Sequence, residues 1–486
     1  MYGGNGLVNQ SQRTILFLIA DTGAGHRSAA NAIRHAITLL SQQEQEQWRS
    51  QHDGADDAQL SSESAPPTYR VEIVDVFDEY AQFPLREAAR LYGPVIRYNP
   101  RLFGRVFHSI NDARRVTAVQ NVAHPMVHNG LARLFTTMRP DVIVSVHPLL
   151  NHITIEVLRD LGCHVPFVTV VTDLVSVHYT WFAPGADSYI VPTEDARQVY
   201  LSRGLDPRRV HILGMPIDPK FSRPTDSKEE LREKFGLQAD VPVALLVGGG
   251  DGAGGLYDAV RAISRARLPV QLLIVTGRNR RLYARLQRTR SSLHVPARVF
   301  GFVQNMPELM RAADVIVTKA GPGTIMEALI CGLPIVLSGY VPGQEEGNVD
   351  FVLNSGVGTL AHDAIELVDT LRLLLKPGSE LMRQQRENAQ RLSRPQASFE
   401  IARCILSYLS APAAASVWQT TRLRRKRLAA LRPRRTGVRL RRLRRRLPRM
   451  TQLNVIRDPV MRRLTHLRTQ GIRARTRSTR ERQDDN

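Results

Sequence analysis

The sequence predicts an α/β protein made of two doubly wound domains in tandem, followed by a basic C-terminal extension. Three observations carry this. Short β-branched runs alternate with longer helical patterns through the first half, the alternation restarts after a polar, proline-containing linker, and 486 residues exceed what one hydrophobic core usually serves.

The first strand is TILFLIA at 14 to 20, followed by a helix from about Ser28 to Leu40 and a second strand, YRVEIVDVF, at 69 to 77. That order is the pattern of right-handed βαβ units on a parallel sheet. Residues 41 to 68, rich in Gln, Ser, Asp and Glu, have little to bury and read as a solvated polar insertion. Strands follow at DVIVSVH (141 to 147), PFVTVVTD (166 to 173), SYIVPT (188 to 193) and RVHILG (209 to 214). Each ends in polar or glycine residues, where open α/β sheets place their ligands. After Met215 and Pro216 the linker DPKFSRPTDSKEE leads into a second set: VPVALLVGGG, VQLLIVTG, ARVFGFV, DVIVTK and LPIVLSG. The expected boundaries are therefore 12–215 for the first domain, 216–410 for the second and 419–486 for the extension.

Charge is unevenly placed. Of 67 Lys and Arg, 24 lie in residues 419–486, with 4 of the 45 Asp and Glu, so the extension holds +20 of the +22 net charge and residues 1–418 only +2. Polyanion binding is thus a question about the extension alone. Its leucines among arginines suit amphipathic basic helices on an anionic membrane; a solubilising tail or nonspecific nucleic-acid contact are the competing readings. Cys163, Cys331 and Cys404 show neither metal nor disulfide spacing, which suggests a reducing compartment. No stretch of 18 to 20 apolar residues is present, so an enzyme acting on lipid is expected to be peripheral.

Three glycine-rich junctions carry candidate chemistry. Asp21, Thr22, Gly23, Ala24, Gly25 and His26 link a strand to a helix; the G-x-G-x-x-G spacing is absent and a histidine stands at the helix start. With an ordinary pKa near 6.5, such a histidine can take a proton from a hydroxyl nucleophile, or it can simply pack at the helix start. The run Gly248 to Gly255 closes a buried strand and suits a diphosphate cradled by backbone N–H groups; a surface loop is the alternative. Thr318 to Glu327 repeats that arrangement, with Glu327 one turn in, where it can accept hydrogen bonds from ribose hydroxyls or merely complement the helix dipole. The polar loop Gly339 to Asn348 then offers Gln344, Glu345 and Asn348 to a hexose.

The segments DTGAGHRSAANAI, SVHPLLNHI, VTDLVSVHYTWFAPGAD, GFVQNMPELM and TKAGPGTIMEALICGLPIVLSGYVPGQEEGNV, in this order, resemble the monogalactosyldiacylglycerol synthases and bacterial diacylglycerol glucosyltransferases of glycosyltransferase family 28, related to the GlcNAc transferase of peptidoglycan synthesis. The likeness spans roughly residues 13 to 408. It implies a GT-B fold, two Rossmann-like domains facing a cleft, and inverting transfer of galactose or glucose from a UDP-sugar to diacylglycerol.

The resemblance also implies roles. Phe302, Val303 and Met306 would face uracil, Glu327 the ribose, Gly249, Gly250, Gly321, Gly323 and Thr324 the diphosphate, and Gln344, Glu345 and Asn348 the hexose. His26 matches a proposed base and Asp75 falls near a second one. Gly23, Gly25, Asp173, His178 and Trp181 match the acceptor side. Ala24 departs from the family's DTGGGH turn, and the Arg-rich extension is outside the family pattern. No metal or other cofactor is expected, since no DxD motif stands where a donor phosphate would need one. The expected partners are a UDP-hexose, diacylglycerol and an anionic membrane, with no specific nucleic acid, and the expected location is cytoplasmic, on the inner face of the cell membrane. A polyprenyl-linked cell-wall acceptor with UDP-GlcNAc as donor, or a nucleic-acid-binding protein with a degenerate nucleotide fold, are the alternatives.

Overall fold

A computed structural model of the chain describes residues 12–21, 24–52, 65–88, 90, 91, 99–223, 226–248 and 255–409. Two six-stranded parallel sheets dominate it. The front sheet has the order β2-β1-β3-β4-β5-β6, with β1 Gln12–Ile19, β2 Thr68–Asp75, β3 Val142–Ser145, β4 Phe167–Val170, β5 Ser188–Val191 and β6 Val210–Ile212. The rear sheet has the order β12-β11-β10-β7-β8-β9, with β7 Val243–Val247, β8 Gln271–Val275, β9 Ala297–Phe300, β10 Val315–Thr318, β11 Ile335–Leu337 and β12 Gly358–Leu360. The helices that bear on the site are α1 Ala24–Gln51, α2 Pro100–Ser109, α3 Ala113–Met138, α4 Asn151–Leu161, α5 Pro322–Ile330, α6 Glu346–Asn354 and α7 Ala397–Ser407.

The strands are unbroken apolar runs because each sheet is covered on both faces. Alternate residues of β1 enter different cores: Leu16 and Leu18 pack with Phe135, Leu150 and Trp181, while Ile15, Phe17 and Ile19 pack with Ile33, Ile37 and Ile405. In the rear sheet Leu245 and Val247 pack with Ile325 and Leu329, and Ala244 and Leu246 with Val260 and Leu371. At about 1.5–3 kcal/mol per fully buried large side chain, these four cores are what hold the sheets to their helices.

Two expectations change. The polar stretch after Leu40 is not all insertion: α1 continues to Gln51, because its alternating Gln and Glu are good helix formers on an exposed face. Only 53–64 of the expected insertion lie outside the described residues. The last helix, counted by sequence with the rear domain, packs on the front one: Ile401, Ala402 and Ile405 of α7 share a core with Ile15, Phe17 and Ile33. Its apolar stripe fits the face that α1 leaves beside it. The extension from 419 onward lies outside the described residues.

Both sheets reverse their winding at one place, between β1 and β3 in front and between β7 and β10 behind. Open α/β sheets bind ligands at such switch points, at the carboxyl ends of the strands. The first ends at Asp21 and His147, the second at Gly248 and Lys319.

Candidate active site

At the front switch point His26, in the first turn of α1, meets His147, which follows β3. Their rings pack edge to face with centroids 4.7 Å apart, and the Trp181 ring is 6.3 Å from that of His26. Nδ1 of His26 is 3.5 Å from Thr172 Oγ1, at the outer limit of a hydrogen bond. Burial lowers the His26 pKa to about 4, against a hydrogen bond with the Val146 backbone and the charge of Asp21, both of which raise it. Burial and the neighbouring His26 hold His147 well below the usual range as well. Both rings are therefore neutral at neutral pH, as a proton acceptor must be. His147 is a residue the motif reading passed over; its signal was a histidine at a buried strand's carboxyl end in SVHP.

Asp173 follows β4, the strand next to β3 in the front sheet. Its Oδ2 accepts the indole N–H of the buried Trp181 at 2.8 Å. Burial raises its pKa to about 6, opposed by hydrogen bonds from the His178 backbone and from Trp181. A carboxyl poised there ionises just below neutrality, which is where an acid–base group is useful. Trp181 is pinned in turn, its carbonyl accepting from Asn151 Nδ2 at 3.1 Å and from Tyr200 Oη at 3.2 Å.

His178 is a brace. Its Nδ1 pairs with Thr180 Oγ1 at 2.8 Å and its Nε2 with the Phe107 carbonyl at 3.3 Å, so it fastens α2 to the Trp181 turn. Asp75, carried over as a second base, has its oxygens turned to backbone. It caps the helix Val76–Glu79 by accepting from Phe77 N at 3.1 Å and Asp78 N at 3.0 Å, and it accepts from Asp21 N at 2.9 Å. Asp75 thereby fixes the entry of the glycine turn. A Cβ built on Gly25 would touch nothing within 4 Å, so open space lies beside the turn. Gly23 lies outside the described residues.

Behind, Gly321 is the cap residue of α5, and among the described residues no side-chain cap hydrogen bond closes its first turn. The N–H groups of that turn are left facing the switch point, the arrangement that receives anions. A Cβ on Gly323 would meet nothing within 4 Å, and Thr324 is only half-buried. Gly249 and Gly250 lie outside the described residues. Phe302 is 63% exposed just beyond β9, with the Arg278 guanidinium 5.6 Å from its ring centre, while Val303 and Met306 pack partly against the rear core beneath it. An uncovered phenyl in that place is a platform for a flat base. Burial lifts the Glu327 carboxyl to about 7, with Lys220 pulling it down and Asp218 adding to the rise.

In the loop Gly339 to Asn348 two of the three candidate side chains are engaged within the fold. Glu345, only 5% exposed, pairs with Lys319 Nζ through one oxygen and accepts from Val341 N at 2.9 Å through the other. Asn348 is buried and donates to the Ala320 carbonyl at 2.9 Å. These two shape the loop from beneath, while Gln344 remains half-buried at its surface. Lys319, whose Nζ would lie 3.5 Å from a Cβ on Gly321, is the cation at the α5 N-terminus and a residue sequence reasoning did not single out.

The two halves touch where α2 meets this loop. A Cβ on Gly104 would sit 2.9 Å from Pro342 Cβ, and one on Gly343, at φ +81°, would sit 3.1 Å from Gly104 Cα. His108 Nε2 is 3.0 Å from Glu346 Oε2 across the same junction. Among the described residues no helix is long and apolar enough to cross a membrane.

Comparison with known proteins agrees with this geometry. The family model for monogalactosyldiacylglycerol (MGDG) synthase matches residues 26–217, and that for the glycosyltransferase family 28 C-terminal domain matches 243–398. The probable chloroplastic monogalactosyldiacylglycerol synthase 2 of Oryza sativa subsp. japonica is 36% identical over 411 residues, 82% of each chain. The chloroplastic monogalactosyldiacylglycerol synthase 3 of Arabidopsis thaliana is 35% identical over 406 residues, 81% of each. The fold is shared with the UDP co-structure of Staphylococcus aureus MnaA, at TM-score 0.50 and 15% identity over 82% of this chain and 98% of that one. These relatives are chloroplastic, which overturns the expectation of a cytoplasmic enzyme on the inner face of the cell membrane. With both family models matched in order and relatives above 30% identity along most of its length, the chain is a glycosyltransferase and belongs to the monogalactosyldiacylglycerol synthase family.

Proposed function

We propose that the protein transfers a hexose, galactose as in its relatives' names, from UDP-hexose to diacylglycerol with inversion, giving a β-glycosyl diacylglycerol. One observation carries the reading: a neutral histidine stands at the front switch point, with Asp173 held by the Trp181 indole at the neighbouring strand end, while an uncapped helix N-terminus and a lysine meet at the rear switch point. The acceptor's primary hydroxyl attacks the anomeric carbon, the bond from that carbon to the diphosphate oxygen breaks, UDP departs, and the hydroxyl proton passes to His26. The Asp21 carboxylate, whose charge already raises the His26 pKa, favours the resulting imidazolium. The Trp181 indole N–H and the His178 brace hold Asp173 in place.

At the other end the leaving group's charge is met by the α5 N–H groups and Lys319, an electrostatic arrangement that stands in for a metal. The proposal therefore includes no metal or other cofactor. Phe302 stacks on uracil, Glu327 takes the ribose hydroxyls, and Gln344 reaches the hexose, supported by Glu345 and Asn348. The Arg-rich extension adds contact with an anionic membrane surface, where the acceptor resides.

The test is incubation of the full chain with diacylglycerol and, separately, UDP-galactose, UDP-glucose and UDP-GlcNAc, followed by lipid analysis. A monoglycosylated diacylglycerol from UDP-galactose is the expected product. Transfer to a polyprenyl acceptor alone, or no glycolipid with any donor, refutes the reading.

A further inference from the structure

Away from the cleft, α3 and α4 face each other with an unusual set of side chains. His124 and His128 are one turn apart on α3, and His152, Glu156 and Asp160 follow one another at single-turn spacing on α4. His124 Nε2 lies 3.1 Å from Glu156 Oε2, His128 Nε2 lies 2.9 Å from Asp160 Oδ2, and His152 Nε2 lies 3.3 Å from Glu156 Oε1. The imidazole nitrogens of His124 and His128 and a carboxylate oxygen of Asp160 fall within 4.8 Å of one another. The catalytic reading uses none of these groups.

Ion pairing alone accounts poorly for the cluster. His124 Nε2 is closed off from solvent and makes no hydrogen bond, although a carboxylate oxygen is 3.1 Å away. The His124 and His128 rings lie close, with centroids 4.8 Å apart and planes inclined by 50°, so protonating both places like charges together. Two imidazoles and two carboxylates from two packed helices are a donor set for zinc and its neighbours rather than for calcium or magnesium.

We propose that His124, His128 and Asp160, with Glu156 as fourth ligand, form a structural site for a zinc-class divalent ion that clips α3 to α4. Tetrahedral ligands about 2.1 Å from zinc sit roughly 3.4 Å apart, so side-chain movements of about 1 Å bring His124, His128 and Asp160 to that spacing, and Glu156 joins them from beside His124. The neutral histidines bind through Nε2 with the proton on Nδ1, and His152 orients Glu156 from outside. Four protein ligands leave no open position, so the ion's role is to hold the helices together. The segment leading into α3 supports the acceptor wall: Asn111 Oδ1 accepts from Tyr179 N at 2.7 Å, beside the Trp181 turn. A clip on α3 thus steadies that wall.

The test uses the full chain stripped with a chelator and titrated with cobalt(II) or zinc(II). One equivalent of cobalt should bind with the intense visible absorption of four-coordinate cobalt, and zinc should displace it and raise Tm. H124Q/H128Q should abolish the absorption and weaken binding by more than about tenfold, while H152Q, which changes only an outer contact, should lower affinity less. E156Q/D160N, on the facing helix, should behave as the histidine pair does and decides the matter if that pair does not fold. Absence of cobalt uptake by the unmutated chain, or unchanged stoichiometry and spectrum in either double variant, overturns the proposal.

Discussion

The role proposed for Glu327, holding the donor's ribose, ties donor affinity to pH. Its carboxyl, lifted by burial to about 7, is about half protonated in the empty site at pH 7. Accepting hydrogen bonds from the two ribose hydroxyls requires the carboxylate, so apparent donor affinity follows the ionised fraction. Between pH 8 and pH 6 that fraction falls about tenfold, equivalent to roughly 1.4 kcal/mol, and binding at pH 7 releases roughly half a proton. E327Q removes both the charge and the titration. Losing a charged hydrogen bond costs about 1.5–3 kcal/mol, so the variant should bind about 10- to 100-fold more weakly at pH 8 with no slope below it. The assay is calorimetric titration with UDP-galactose, whose diphosphate is esterified at both ends and does not titrate in this range; buffers of different ionisation enthalpy count the protons. Asp173 also titrates near 6, and the variant separates the two contributions. Affinity that is flat from pH 6 to 8 in the unmutated chain, or a slope that persists in E327Q, refutes the reasoning.

H26A should lower kcat by about 10²- to 10⁴-fold while calorimetry finds donor Kd unchanged, because the histidine lies in the front half alone. W181F removes the 2.8 Å bond to Asp173, so the acidic limb of the kcat profile should move above 6 and the protein should lose about 1–3 kcal/mol of stability in urea denaturation. G104A should force α2 away from Pro342 and lower kcat/KM, measured at saturating donor, with little change in Tm, since only the junction between halves is crowded. Truncation after Trp418 should weaken sedimentation with anionic vesicles, and the difference should shrink as salt rises.

Much of the site was legible because its residues sit at strand ends, and strand ends are marked by abrupt changes from apolar runs to glycine or polar residues. His26 and the Gly321 to Glu327 segment were singled out that way, and Asp173 only through the family resemblance. What escaped was the direction of each side chain. Asp75 and Glu345 are acids beside glycine turns and read as functional, yet both oxygens of each are engaged within the fold. Lys319 and His147 lay within recognised motifs but gained their places only when a second strand came alongside.

The sequence alone determined the two doubly wound units, their order and the family, because burial on both faces of a parallel sheet writes itself as continuous apolar strands and glycine turns. Tertiary structure decided what no local pattern contains. It put α7 on the front sheet, set Gly104 against Pro342, brought His26 to His147, and gathered α3 and α4 around three histidines and two carboxylates. Those are contacts between segments distant in the chain, fixed by which apolar faces found each other, and burial at those contacts sets the pKa values on which the chemistry depends.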